Sequence, residues 1–162
     1  MNEVLDEQSR LSLVRYRIER ADETIIEAKL LAGDCHYNAA MNRLYYACFY
    51  AASALLIANG IATSSHAGVK TMLSLHFVSK DLMAKEHGKT FSRLFEIRHS
   101  GDYDDFVYCD KEMTDEYTPK AEAFISQIKE LLNQDIVSAQ LLCLQHEELP
   151  LSVEGVLKKV SF

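Results

Sequence analysis

Residues 38–56 read NAAMNRLYYACFYAASALL, a helix-length apolar stretch that carries one arginine and a cluster of tyrosines among alanines and leucines. Helical spacing places Arg43, Tyr46 and Tyr50 on one stripe, about one turn apart. The polar ends of these side chains need partners when they are buried. The stripe therefore predicts either a structural hydrogen-bond network or the wall of a binding site, and the pattern leaves both open.

The composition around this stretch favours a single all-helical domain. The chain has 162 residues, enough for one hydrophobic core, and it is 48% apolar with only two prolines and six glycines. Alanine, leucine and glutamate dominate the remainder. This composition is typical of an all-α fold and argues against a sandwich or barrel.

Hydrophobic periodicity predicts four long helices and one short helix. The first two cover residues 9–32 and 36–58, and the second, which ends at Asn59-Gly60, is expected to lie at the centre of the fold. A short third helix follows a cap at Ser64 or Ser65, and a fourth runs from about residue 82 or 85 to residue 99. Together with a fifth, these helices predict a bundle.

The fifth helix is expected to begin at Thr118-Pro119, because threonine caps helices well and proline is favoured in the first turn. The bundle is predicted to occupy residues 9–133. Residues 134–162 have a different pattern and form a C-terminal extension, with a potential further helix, that packs on the bundle or at an interface.

Charge and cysteine usage suggest the compartment and exclude some partners. The net charge of −7 disfavours indiscriminate nucleic-acid binding but leaves room for a small basic cleft. Four widely spaced cysteines suggest reduced thiols, and the acidic N-terminal residues do not resemble a signal peptide. No Asp, Glu, Lys or Arg occurs in residues 44–69, which we interpret as a buried helix rather than a membrane span. We therefore expect a cytoplasmic protein without membrane association.

A second polar cluster lies where the fourth helix ends. Arg98 falls on the face that carries the apolar residues of this helix, and a turn containing Asp102 and Tyr103 follows it. An arginine there can cap the last carbonyl groups, pair with Asp102, or hold a phosphate in bidentate fashion. The sequence does not decide among these roles.

Metal chemistry is the weakest interpretation of the sequence. Glu96 and His99 have the Glu-x-x-His spacing that di-iron bundles use, but such a site needs a second copy, and the sequence has none. The chain also lacks phosphate-binding glycine loops and nucleophile elbows. No metal or cofactor is predicted.

Several short elements together resemble the HEPN family, the higher eukaryotes and prokaryotes nucleotide-binding domain, and most of all its small single-domain bacterial and archaeal branch. In chain order they are Gly33-Asp-Cys-His-Tyr37, Arg43-Leu-Tyr45-Tyr46-Ala-Cys-Phe49, His66-Ala-Gly68 and Arg98 followed by Gly101-Asp102-Tyr103. The resemblance implies an up-and-down bundle that forms a two-fold homodimer. It also implies a toxin–antitoxin pair with a minimal nucleotidyltransferase as the partner protein.

The resemblance further implies a site at the dimer interface. Many members are metal-independent endoribonucleases in which an arginine is followed after four to six residues by a histidine. Here those positions are Tyr103, Asp104 and Asp105, so the motif histidine is absent. The implied catalytic residues are Arg98, Asp102 and Tyr103.

The residues implied to contact RNA or nucleotide are Arg43, Tyr46 and His66. The sequence thus leaves two functions open, a metal-independent endoribonuclease and a non-catalytic nucleotide-binding or protein-interaction module.

Overall fold

The computed structural model describes residues 6–101 and 108–146, and it describes side chains up to residue 100 and from residue 108 to residue 134. These residues form five α-helices and one π-helical turn, and none of them lies in a β-strand. The helices are α1 (Glu7–Gly33), α2 (Tyr37–Ala58), α3 (His66–Leu73), α4 (Lys85–Gly101) and α5 (Lys111–His146). The π-helical turn, Ser74–Val78, directly continues α3. The predicted all-α helical bundle is confirmed.

Helix α2 lies at the centre of the bundle, as its alanine-rich sequence predicts. It contacts each of the other α-helices that the structure describes. Ala40, Ala47, Ala51 and Ala54 have no exposed surface, which brings the neighbouring backbones close to α2. The largest buried side chain of this helix is Tyr45, and its position at the centre of the core determines the geometry of the site described below.

The helix termini follow the capping chemistry of the sequence. The Asp6 carboxylate accepts a hydrogen bond from the Ser9 backbone N–H at the start of α1. Ser65, one of the two predicted caps, accepts a hydrogen bond from the Gly68 N–H at the start of α3. After α2, Gly60 adopts a φ of 68°, a left-handed conformation that glycine reaches without steric cost. Gly60 and Ser65 thus fix the two ends of the α2–α3 connection.

The predicted start of the fifth helix is wrong. Helix α5 begins at Lys111, where the Asp110 carboxylate accepts a hydrogen bond of 2.9 Å from the Met113 N–H, and Pro119 lies inside the helix. Proline removes the N–H that would bond to the carbonyl oxygen of Asp115. Both residues are exposed, so water can reach that carbonyl group and the helix continues.

The backbone of α5 also continues through the predicted domain boundary and ends at His146. The packing of residues 134–162 therefore stays a prediction. Among the described helices, none is both long and apolar enough to cross a membrane. The charge-free part of α2 is instead a core helix, as predicted.

Candidate functional site

The candidate site is built around Tyr45, whose side chain is completely buried. Its hydroxyl group lies 2.7 Å from Nδ1 of His66, the first residue of α3. The Tyr45 ring stacks on Phe91 of α4 with the two planes 8° apart. Tyr45 therefore connects α2, α3 and α4 at a single point.

His66 is held in place by both its ring and its backbone. Its imidazole stacks on the Phe49 ring with a centroid separation of 4.2 Å and an angle of 19° between the planes. The cap formed by Ser65 and Gly68 fixes the first turn of α3, and a Cβ atom at Gly68 would lie 3.1 Å from the Ser65 hydroxyl oxygen. The His66-Ala-Gly68 element is thus a positioned histidine followed by a glycine whose missing side chain leaves room for the Ser65 cap.

Arg98, near the end of α4, reaches the same tyrosines. Its guanidinium carbon lies 5.7 Å from the Tyr45 ring centroid and 5.5 Å from the Tyr46 ring centroid. Both distances are within the range of cation–π attraction. The Arg98 side chain is half-buried, and its Nε atom is fully buried. The fold therefore brings Arg98 and His66, which lie on different helices, to the rings of Tyr45 and Tyr46. We refer to these two rings as the aromatic platform.

Burial and charge together set the protonation states at this platform. Burial raises the pKa of Tyr45, and the nearby Arg98 charge opposes that rise only in part. Burial, and then the Arg98 charge, lower the pKa of His66 below its ordinary value. At neutral pH Tyr45 is therefore protonated and His66 is uncharged, so their hydrogen bond joins two neutral groups.

The predicted Arg43, Tyr46 and Tyr50 stripe continues from this platform. The Arg43 guanidinium carbon lies 5.5 Å from the Tyr46 ring centroid, and the Tyr46 and Tyr50 rings are 6.3 Å apart. Arg17 and Arg20 of α1 each lie 5.7 Å from the Tyr50 ring centroid. We refer to this surface as the arginine–tyrosine ridge; it consists of Arg17, Arg20, Arg43, Tyr46, Tyr50 and Arg98.

Acidic residues balance part of the ridge. Glu27 lies 3.5 Å from Arg43 and 3.8 Å from Arg20, and Glu23 forms a 2.6 Å bond with Arg20. The ridge is nevertheless a local concentration of guanidinium groups and aromatic rings on a protein whose net charge is −7. Such a surface suits a phosphate-bearing ligand with stacking bases.

The other predicted site residues fall into two groups. Asp102 and Tyr103 lie outside the described residues. In the Glu-x-x-His pair, Glu96 bonds to Arg93, and His99 stacks on Phe95 at 5.6 Å. Within the described part of the chain, no three His, Cys, Asp or Glu side chains are grouped as metal ligands.

Sequence reasoning missed Tyr45, Phe49, Arg17 and Arg20 as parts of the site. Tyr45 and Phe49 both belong to the element that carries the resemblance, which was the available signal for them. Arg17 and Arg20 lie on α1 among other charged residues, and only the packing of α1 against α2 reveals their contacts with Tyr50. No local pattern distinguishes them from solvated surface arginines.

The fold and the platform define a class of protein. Its members are small helical bundles in which an arginine and a histidine lie against a cluster of aromatic rings. Comparison with known proteins identifies the family. The HEPN domain profile matches residues 14–131, and this chain belongs to the HEPN domain family.

Relatives that this chain covers over most of their length support the assignment. A UPF0332 protein of Thermotoga maritima is 39% identical over 120 residues, which cover 74% of this chain and 91% of that protein. Two Methanocaldococcus jannaschii proteins carry the names "Putative toxin MJ0605" and "Putative toxin MJ0142". The first is 32% identical over 72% of this chain and 87% of its own length, and the second is 26% identical over 76% and 84%.

Proposed function

We propose that this chain is the HEPN component of a two-gene toxin–antitoxin system and that it binds an RNA phosphate group beside Arg98, His66 and Tyr46. The toxin role is supported by the names of the two Methanocaldococcus jannaschii relatives. A homodimer and a minimal nucleotidyltransferase partner are proposed from the family resemblance. Binding of RNA or nucleotide is proposed from the geometry of the site.

The observation that supports RNA binding most directly is the meeting of Arg98 and His66 on the rings of Tyr45 and Tyr46. A guanidinium group matches the geometry of phosphate oxygens, and the His66 ring nitrogen that does not bond to Tyr45 remains for a bond to the nucleotide. Tyr46 is only partly buried, so the exposed part of its ring can contact a base. These groups together suit a single nucleotide unit.

The same geometry supports a proposed mechanism for strand cleavage. The ribose 2′-hydroxyl would attack the adjacent phosphorus, the bond to the 5′ oxygen would break, and a cyclic phosphate and a 5′-hydroxyl would result. His66, whose pKa is lowered by burial and by Arg98, is uncharged at neutral pH. When its Nδ1–H donates to the Tyr45 hydroxyl oxygen, its Nε2 atom can take the 2′-hydroxyl proton. The imidazolium then returns a proton to the 5′ oxygen, while Arg98 stabilises the negative charge on the phosphate.

The test uses purified full-length protein with total cellular RNA in the presence of a chelator, and it measures both binding and cleavage. Arg98→Ala should weaken RNA binding by at least about tenfold, because a charge-assisted hydrogen bond contributes about 1.5–3 kcal/mol. Arg93→Ala is the matched control on the same helix, since Arg93 is exposed and bonds to Glu96. Absence of RNA binding by folded wild-type protein would overturn the proposal.

Cleavage is read in the same samples with a second variant. His66→Asn retains a polar atom near the Tyr45 hydroxyl but removes the titratable ring. If the wild type cleaves RNA, this variant should lose about 100-fold or more in rate while still binding RNA. Equal cleavage by the wild type and this variant would exclude His66 as the proton-transfer group.

A non-catalytic interaction module is the second candidate, and one observation favours it. The Arg98 guanidinium lies against two rings, and its Nε atom is buried, as expected for a structural side chain. In that case Arg98→Ala would lower thermal stability, and the wild type would show neither RNA binding nor cleavage. The two candidates thus predict opposite results for the wild-type protein.

A further inference from the structure

A second surface, separate from the platform, lies between α3 with its π-helical turn and α4. It is an open groove of about 320 Å³. Its floor is apolar, with Leu73, Val78 and Phe91, and its rim carries the three lysines Lys70, Lys85 and Lys89 together with the Ser74 and Ser92 hydroxyl groups. None of the described residues that line it is acidic. We refer to it as the lysine groove.

The direction of the helices connects the lysine groove to the platform. The start of α3 meets α4 near its C-terminal end, where His66 and Arg98 both contact Tyr45. Further along, the Lys70 ammonium lies 4.5 Å from the Phe95 ring centroid. At the far end, a Cβ atom on Gly88 would lie 3.0 Å from a Val78 methyl group. The two elements are therefore antiparallel neighbours, and the lysine groove lies between them further from the platform, towards Lys85.

The length of this path suits more than one nucleotide. Lys85 and Arg98 are both on α4, and a rise of 1.5 Å per residue separates them by about 20 Å along the helix axis. An unbranched anionic chain that begins at Arg98 would meet Lys70 first and then Lys89 and Lys85. Lysines along a groove follow a phosphate backbone without reading its sequence.

We infer that the lysine groove holds the RNA strand on one side of the nucleotide bound at the platform, with Lys70, Lys89 and Lys85 contacting successive phosphates. The inference rests on the proposed function, because it needs a strand that starts at Arg98 and His66. Charge complementarity favours a polyanion such as RNA as the occupant, because the groove carries three lysines on a protein whose net charge is −7. The Ser74 and Ser92 hydroxyl groups can bond to phosphate oxygens or to ribose hydroxyls.

The experiment measures the affinity of fluorescently labelled oligouridylates of two, four and eight nucleotides for the full-length protein at several salt concentrations. The wild type should bind the eight-nucleotide strand more tightly than the two-nucleotide strand. In the double variant Lys85→Gln/Lys89→Gln this gain with length should shrink to the part that Lys70 supplies. The slope of log affinity against log salt should also fall by about 1.4, or about 0.7 for each lost phosphate contact on a single strand.

The matched control is Lys111→Gln/Lys120→Gln, which changes the net charge equally on α5. These two lysines pair with Asp115 and Glu116 and do not line the groove. An equal loss in this control would mean that overall charge causes the effect, and the inference would be overturned. Tighter binding of an acidic peptide than of the eight-nucleotide strand would overturn it as well.

The two-nucleotide strand separates this inference from the proposed function. If the wild type binds two and eight nucleotides equally and Arg98→Ala weakens both, the lysine groove is not used and only this inference fails. If the wild type binds neither strand, the proposed function fails together with it.

Discussion

Tyr45 and Tyr46 are neighbours in the chain, but their environments differ. Tyr45 has no exposed surface, whereas Tyr46 is partly exposed and lies between Arg43 and Arg98. The helical stripe in the sequence predicts the Arg43, Tyr46 and Tyr50 contacts, because these residues belong to one helix. It does not predict the Tyr45–His66 bond, because that bond depends on how α3 packs against α2.

The lowered pKa of His66 makes stability depend on pH. The folded protein binds a proton at His66 less readily than the unfolded chain, whose histidine pKa is about 6.5. The free energy of unfolding is therefore highest above that pH and decreases as the pH falls through the lowered pKa of the folded state. Melting temperatures measured from pH 7.5 to 5.5 should therefore decline more steeply in the wild type than in His66→Asn.

Two further variants test the cause of that slope. Arg98→Ala should give a shallower decline than the wild type but should not abolish it, because burial remains the larger cause of the lowered pKa of His66. His36→Asn, at an exposed histidine that precedes α2, is the matched control for replacing a histidine by asparagine. Identical slopes in the wild type and His66→Asn would show that His66 does not titrate differently on folding.

At the scale of helices, the sequence predicts the ends of α1 and α2 to within a few residues because their apolar periods are long and a glycine lies at or just after the end of each helix. It fails at α5 because two valid signals compete. Thr118-Pro119 has the chemistry of a helix start, but Asp110 provides a cap eight residues earlier, and Thr118 bonds instead to the Thr114 carbonyl oxygen at 2.7 Å. Local chemistry does not reveal which signal the packing of α5 selects.

Because Asp110 caps α5 and Thr118 lies inside it, substitutions at these two positions should have different effects on stability. Asp110→Ala removes the acceptor for the Met113 N–H and should destabilise the protein by about 1 kcal/mol, which lowers the melting temperature by roughly 2–4 °C for a chain of this size. Thr118→Ala should cost much less, since a threonine inside a helix contributes no cap. A larger loss from Thr118→Ala than from Asp110→Ala would indicate that the helix starts at the predicted position.

On the scale of the whole molecule, a net charge of −7 and the proposed nucleic-acid site are compatible because several arginines cluster on the ridge, and Glu23 and Glu27 balance only part of their charge. Arg17, Arg20, Arg43 and Arg98 surround two tyrosines, while many of the acidic residues lie elsewhere. Composition predicts only that a broad basic face is absent. The ridge itself emerges when α1 and α4 pack on α2, so three separate segments contribute its charge.

Glu27 provides a test of whether the charge of the ridge governs binding, because its carboxylate neutralises part of that charge through Arg43 and Arg20. Glu27→Gln should strengthen RNA binding at low salt by roughly 1.4- to 5-fold, since an exposed ion pair contributes about 0.2–1 kcal/mol. The gain should fade at high salt, where screening acts over a few ångströms. Glu122→Gln, which removes the same charge at the Lys29 pair between α1 and α5, should leave the affinity unchanged. An equal gain in both variants would mean that net charge, rather than the ridge, governs binding.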